Sequence, residues 1–73
     1  MTSPAPTPRY TNVISSATKI AQDMGHDHLG VEHLFLAIVR EGNSLPALVL
    51  GEALDPSELD RRVLDRMRAA YTE

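Results

Sequence analysis

The chain has 73 residues, which is enough for one small domain. Its formal net charge is −3, from 7 basic and 10 acidic residues, and this argues against a nucleic-acid-binding protein, which usually carries a basic patch. The chain contains no cysteine, so no disulfide bond stabilises it, and this composition fits a reducing cytoplasm.

The sequence indicates neither a membrane span nor an export signal. The apolar run at residues 45–50 contains Pro46, and no apolar run approaches the roughly 20 residues that a transmembrane helix needs. The N-terminus lacks the charged and then apolar pattern of a signal peptide, so we expect a cytoplasmic protein without membrane contact.

The N-terminal residues predict a flexible leader. Pro4, Pro6 and Pro8 fix φ and remove amide donors, which disfavours regular structure. We therefore divide the chain into a leader over residues 1–9 and a single domain over residues 10–73.

Helix-spaced apolar residues predict the first element of the domain. This helix is predicted to begin at Thr11, whose hydroxyl can accept a hydrogen bond from the first turn, and to end near Met24. Gly25 can terminate it, since glycine adopts positive φ without steric cost. The apolar stripe of the helix comprises Val13, Ile14, Ala17, Ile20, Ala21 and Met24.

A second helix is predicted from Val31 to about Arg40. Gly42 and Asn43 follow it, and both residue types tolerate the left-handed conformation of a turn. The face that we expect to be buried comprises Leu34, Phe35, Ile38 and Val39.

The third helix is predicted to be short and enclosed. Ser44 can cap it, and Pro46 suits its first turn, where the missing N–H would have no helical partner. Residues 45–50 are almost uniformly apolar, so we expect this helix to lie inside the domain, with Leu48 buried.

The fourth helix has the strongest start signal of the chain. Asp55 can cap it, Pro56 fits its first position, and Glu58 lies three residues after the cap, as in a capping box. We expect the charged residues between its apolar positions to form helix-spaced ion pairs in solvent. Because no segment alternates with a period of two, the predicted fold class is all-α, a compact bundle of four helices.

Five short motifs together resemble one known family. They are Tyr10-Thr11, Ala21-Gln22, Gly25-His26-Asp27, Gly30-Val31-Glu32-His33-Leu34 and Arg40-Glu41-Gly42. Their order and spacing resemble the Clp N-terminal repeat, which precedes the ATPase rings of Clp unfoldases, with the ClpC branch most similar. The resemblance covers residues 10–71 and implies a four-helix repeat. Tyr10 stands where the family usually has Phe, and Val31 stands where it usually has Thr.

The resemblance implies a function in recognition. The family domain usually holds two repeats related by a pseudo-twofold, whereas this chain has one, and it contains no Walker motif. We therefore expect a non-enzymatic recognition module of the Clp proteolysis system, without a cofactor. Its expected partners are protein or peptide clients, an adaptor or the unfoldase itself. Because a lone repeat lacks the cover of a second repeat, we also expect a homodimer.

Glu32 and Thr11 are the candidate ligand-binding residues that the resemblance implies. In the ClpC branch, the Glu of this motif is implicated in holding the guanidinium of a phosphorylated arginine, and Thr11 matches a Thr beside that pocket. A carboxylate binds a guanidinium with two hydrogen bonds, and a helix N-terminus favours the phosphate. The alternative is structural, with Glu32 complementing its own helix dipole and Thr11 capping the first helix.

Three histidines, His26, His28 and His33, raise the question of a metal site. Zinc needs three or four converging ligands, and this chain offers a loop triplet and no cysteine. The resemblance implies structural histidines that bond the backbone of the loop, so we predict no metal. The serines, histidines and acidic residues show no arrangement of nucleophile, base and orienting acid, so we predict no catalytic residue.

Two other functions stay open. The first is sequestration of the cyclic peptide antibiotics that target ClpC N-domains, although Ser15, Thr18 and Lys19 differ from the larger apolar residues that the family has on this face. The second is DNA binding, which the acidic residues Asp60 and Asp65 disfavour among the arginines of the fourth helix.

Overall fold

The computed structural model describes residues 4–71 of the chain, which form four helices and no strand. The helices are α1 (Pro8–Asp23), α2 (Val31–Glu41), α3 (Leu45–Ala53) and α4 (Pro56–Tyr71), so the predicted all-α, four-helix fold is confirmed. The predicted leader falls partly on residues 1–3, which lie outside the described range, and its boundary stays a prediction. Among the described residues, no single helix is long and apolar enough to cross a membrane, although α2 and α3 meet both criteria as a pair bent by 78°.

α1 begins one turn earlier than predicted. Its N-cap is Thr7, because the Tyr10 N–H donates to the Thr7 hydroxyl oxygen over 3.1 Å and Pro8 occupies the first turn. Thr11 lies inside the helix, and its hydroxyl donates to the Thr7 carbonyl oxygen over 3.2 Å. The predicted cap at Thr11 is therefore wrong. Proline is common both in irregular segments and in the first turn of a helix. Pro8 occupies the first turn of α1.

Gly25 ends α1 as predicted. It has a φ of 75°, in the left-handed region that glycine adopts without steric cost. The Gly25 N–H donates to the Gln22 carbonyl oxygen over 3.0 Å, and the His26 N–H donates to the Ala21 carbonyl oxygen over 2.9 Å. These two bonds satisfy the last carbonyl groups of α1 and direct the chain toward α2.

α1 and α2 form a helical hairpin that packs on small residues. Ala17 and Ala37 are completely enclosed, and together with Val13 they form the centre of the core. At the open end of the hairpin, Arg9 Nε lies 3.3 Å from a carboxylate oxygen of Glu41. The start of α1 therefore lies beside the end of α2, and the two helices are antiparallel.

The predicted starts of α3 and α4 are confirmed. The Ala47 N–H donates to the Ser44 hydroxyl oxygen over 3.3 Å, and the Ser57 N–H donates to a carboxylate oxygen of Asp55 over 3.0 Å. On the outer face of α4, Glu58 forms the expected helix-spaced ion pairs with the arginines at positions 61 and 62.

Among the residues that the structure describes, the packing of α4 includes one buried side chain and one ion pair with α2. Met67 is the buried residue of α4. Arg40 donates from Nε to one carboxylate oxygen of Asp60 over 2.6 Å and from Nη2 to the other over 3.2 Å. This two-pronged geometry fixes the relative orientation of the partners as well as their distance.

Two burial predictions are wrong. Leu48 is 50% exposed, and Ala47 is the one described residue of α3 that is buried. Phe35 is partly exposed, whereas its neighbour Leu36 is completely enclosed. A uniformly apolar helix has no periodicity that could indicate which side is covered, and this bundle covers α3 on one side.

Leu36→Ala should lower the free energy of unfolding by about 2–5 kcal/mol, because removing a completely buried side chain leaves a cavity. Leu48→Ala is the matched control, since it removes the same atoms from a half-exposed position and should cost less than about 1 kcal/mol. Urea denaturation followed by circular dichroism measures both values. Equal losses would contradict the burial described for α2 and α3.

Candidate functional site

Glu32 occupies the first turn of α2, where a carboxylate is favourable to the helix dipole. The helix begins after Gly30, whose extended backbone any residue type could adopt. A Cβ atom at position 30 would nevertheless collide with the Glu32 carboxylate. Glycine at this position therefore leaves the space that the carboxylate occupies, and the side chain of Glu32 folds back over the start of its own helix.

A groove of about 620 Å³ separates Glu32 from α4, and we refer to it as the Glu32 groove. Its α4 side is lined by Arg62, Val63, Asp65, Arg66, Met67, Ala70 and Tyr71. The groove thus combines an apolar floor with one carboxylate at the helix start, and with two arginines and the Asp65 carboxylate on the opposite side.

Tyr71 connects the two sides of the groove. Partial burial and the neighbouring Glu32 carboxylate raise the pKa of the Tyr71 hydroxyl above its ordinary value. The two side chains therefore lie close together across the groove. The sequence predicted Tyr71 on the apolar stripe of the fourth helix and not as a site residue, since its contact with Glu32 spans nearly forty positions and no local pattern encodes it.

Thr11 lies at the other end of the hairpin from Glu32. The start of α1 lies beside Glu41, because Arg9 pairs with that residue and also donates to the Asn43 carbonyl oxygen over 3.0 Å. Glu32 precedes Glu41 by a span of α2 that measures about 13 Å along the helix axis. The described residues of one chain therefore do not bring Thr11 and Glu32 together, and their shared role in a ligand site stays a prediction.

The three histidines converge, which their spacing did not predict. His33 is completely buried, and its Nδ1 accepts a hydrogen bond from the Gly30 N–H over 2.9 Å. Its Nε2 lies 2.8 Å from Nδ1 of His26. The ring of His28 stacks on that of His26 with a centroid separation of 5.2 Å, and the Tyr71 ring lies in an edge-to-face arrangement with both.

The bond from Gly30 determines the tautomer of His33. A neutral imidazole has one N–H and one free nitrogen lone pair. Since Nδ1 accepts from the Gly30 N–H, the proton of neutral His33 resides on Nε2, which donates to His26. Burial lowers the pKa of His33, and the neighbouring rings of His26 and His28 lower it further.

The hydrogen bond that His33 accepts from the Gly30 N–H opposes the binding of a metal ion by this histidine. One nitrogen from each of the three histidines lies within 4.8 Å of the others, a spacing that a metal ion could bridge. Metal ligation needs a free nitrogen lone pair, and His33 already uses its lone pair to cap the start of α2. The donor set therefore does not fit a metal, and the absence of a metal site stays a prediction.

The region that forms α1 and α2 is similar to known proteins. The Clp repeat N-terminal domain family matches residues 1–53. The chain is 41% identical over 69 residues to the chloroplastic chaperone protein ClpC2 of Oryza sativa subsp. japonica, which covers 92% of this chain and 7% of that protein. It is 39% identical over 69 residues to the chloroplastic chaperone protein ClpC1 of the same plant, with the same shares covered.

A ClpA homologue described as an ATP-binding subunit of ATP-dependent Clp protease, from Guillardia theta, is 37% identical over 59 residues, which cover 80% of this chain and 7% of that protein. The chain therefore spans less than a tenth of the length of these relatives. No solved structure matches it. The matched region includes the hairpin, the histidines and Glu32, and the chain belongs to the Clp repeat N-terminal domain family.

Proposed function

We propose that this protein is a non-enzymatic recognition module of the Clp proteolysis system that binds a cationic side chain of a client protein in the Glu32 groove. The observation that supports this proposal is the position of the Glu32 carboxylate, which faces an apolar groove from the start of α2. Membership of the Clp repeat family supports a function within the Clp system. An adaptor or the unfoldase could present the same kind of side chain.

The groove suits a guanidinium better than a simple amine. A carboxylate and a guanidinium form two parallel hydrogen bonds, and the flat apolar face of the guanidinium can rest on Val63 and Met67. The ligand would approach Glu32 on the side where Tyr71 lies. If the arginine is phosphorylated, Arg66 borders the groove where it can meet the phosphate, and the α2 N-terminus favours its charge.

Glu32→Gln should weaken binding of a phosphoarginine peptide by about 10- to 100-fold, because the amide carries no charge and replaces one of the two acceptor oxygens with a donor NH2 group. Isothermal titration calorimetry measures the affinity, and circular dichroism checks that the helices persist. Glu52→Gln is the control, since it makes the same change at an exposed position of α3. Equal affinity for wild type and Glu32→Gln would remove Glu32 from the site.

Gly30→Ala tests the position of the carboxylate without removing it. The added Cβ occupies the space of the Glu32 carboxylate, while the extended backbone accommodates alanine. We expect binding to weaken in the same titration, because the displaced carboxylate no longer faces the groove as it does in wild type. Full retention of affinity would show that the observed position of Glu32 is not the one that binds.

Two further ligands in the same titration distinguish the competing functions. The unphosphorylated peptide shows how much the phosphate contributes, and a cyclic peptide antibiotic directed at ClpC N-domains tests sequestration. Thr11→Ala should leave binding unchanged if one chain forms the site, because Thr11 lies at the far end of the hairpin. Weaker binding by that variant would mean that a second copy contributes Thr11.

The expected homodimer is a further part of the proposal, and the exposed apolar side chains of α3 support it. Leu45 is 78% exposed and Val49 is 62% exposed, and Leu48 and Leu54 extend the same apolar surface. In water this surface favours association, and a second copy related by a twofold axis could cover it.

Light scattering over a concentration series should therefore give a mass approaching twice 8.0 kDa. Val49→Glu should return the mass to that of a monomer, since a charge on the apolar surface opposes its burial. Ser16→Glu adds the same charge to an exposed position of α1 and should leave the dimer intact. A constant mass near 8.0 kDa up to high micromolar concentration rules the dimer out.

A further inference from the structure

We propose that the hydrogen-bonded series formed by the Gly30 amide, His33 and His26 is an acid-sensitive clasp that holds the α1–α2 loop against the start of α2 and the end of α4. We refer to these three groups as the histidine clasp. The proposal concerns the conformation of the chain and does not depend on what the Glu32 groove binds.

The hydrogen bonds of the clasp fix the number of protons on the two imidazoles. The Gly30 N–H points at Nδ1 of His33, so that nitrogen must stay unprotonated. The 2.8 Å separation between His33 Nε2 and His26 Nδ1 holds one proton. His26 then carries its own proton on Nε2, and both imidazoles are neutral.

An additional proton on either imidazole breaks at least one bond of the clasp. On His33 it must go to Nδ1, where it meets the Gly30 N–H. On His26 it must go to Nδ1, where it meets the proton of His33 Nε2 unless that proton moves and displaces the Gly30 bond. The clasp therefore exists in the neutral form, whereas an isolated histidine accepts a proton without losing any contact.

The surroundings reinforce this preference. His33 is completely buried, and a buried charge without a partner is costly. Charged and titratable groups near the clasp come from α1, the loop, α2 and α4, and they are Asp23, Asp27, His28, Glu32, Arg40, Arg68 and Tyr71. Glu32 favours protonation of His33, but burial and the neighbouring histidines outweigh it.

The sign of the pH effect follows from these contacts. The pKa of His33 is lower in the folded chain than in the unfolded chain, so at mildly acidic pH the unfolded chain binds more protons. The stabilisation is fully present above the ordinary histidine pKa of about 6.5 and decreases as the pH falls below it. Opening of the clasp leaves the Gly30 N–H without its acceptor. It also separates the His26 ring from the Tyr71 ring.

Nuclear magnetic resonance of the wild-type chain tests the clasp directly. At about pH 7.5 we expect His33 as the Nε2–H tautomer and a protected Gly30 amide. Titration to about pH 5 should lower the protection of that amide by about tenfold or more after correction for intrinsic exchange, in one step with the loss of the His33 tautomer signal. An Nδ1–H tautomer, or a Gly30 amide that stays protected while His26 and His33 both titrate, would overturn the proposal.

Two variants sharpen the test. His33→Gln keeps a capping acceptor at the third helical position but removes the titrating ring, so the pH step at Gly30 should disappear. His28→Gln removes a neighbouring imidazole that is not part of the clasp, so the step should persist. If His28→Gln abolishes the step and His33→Gln retains it, the pH response belongs to another group.

Zinc distinguishes a clasp from a metal site. Excess Zn²⁺ at neutral pH should leave the His33 Nε2–H signal and the Gly30 amide unchanged, because His33 offers no free lone pair. Loss of the Nε2–H signal on addition of Zn²⁺ would show ligation through His33 and overturn the assignment.

Discussion

The contact between α1 and α2 at Ala17 and Ala37 is the constraint on which the rest of the structure depends. Both alanines are fully enclosed, and their small side chains let the two helix backbones approach closely. This contact sets the width of the hairpin, and with it the span of the loop that contains the histidines. The start of α2, which carries Glu32, is placed by the same packing, so α4 meets a rigid support.

The sequence predicted the helices better than the surfaces that they bury. Caps such as Ser44 and Asp55 are local, because the acceptor and the amide that it satisfies are a few residues apart. Burial is not local: Leu48 is exposed because none of the elements between residues 4 and 71 covers the outer side of α3, and periodicity cannot show this. The first cap was misplaced because proline favours both an irregular leader and a helix start.

The candidate site was predicted in the same partial way. Glu32 was identified from its motif and its position in the first turn of α2, both of which are local. The α4 side of the Glu32 groove and the contact of Tyr71 with Glu32 depend on tertiary packing. Sequence spacing encodes neither of them. One signal for the histidines was present and unused: His33 is the third residue of α2, where a side chain can reach back to the N-cap amide.

The space between Gly30 and Glu32 also constrains how this sequence can change. A side chain at position 30 and a carboxylate in its present place at position 32 exclude each other. Substitutions at the two positions are therefore not independent, and their order matters. A lineage that first shortens Glu32 leaves position 30 free to vary, whereas a lineage that first replaces Gly30 must tolerate a moved carboxylate. The constraint at position 30 comes from the neighbouring carboxylate, since the extended backbone of Gly30 does not itself require glycine.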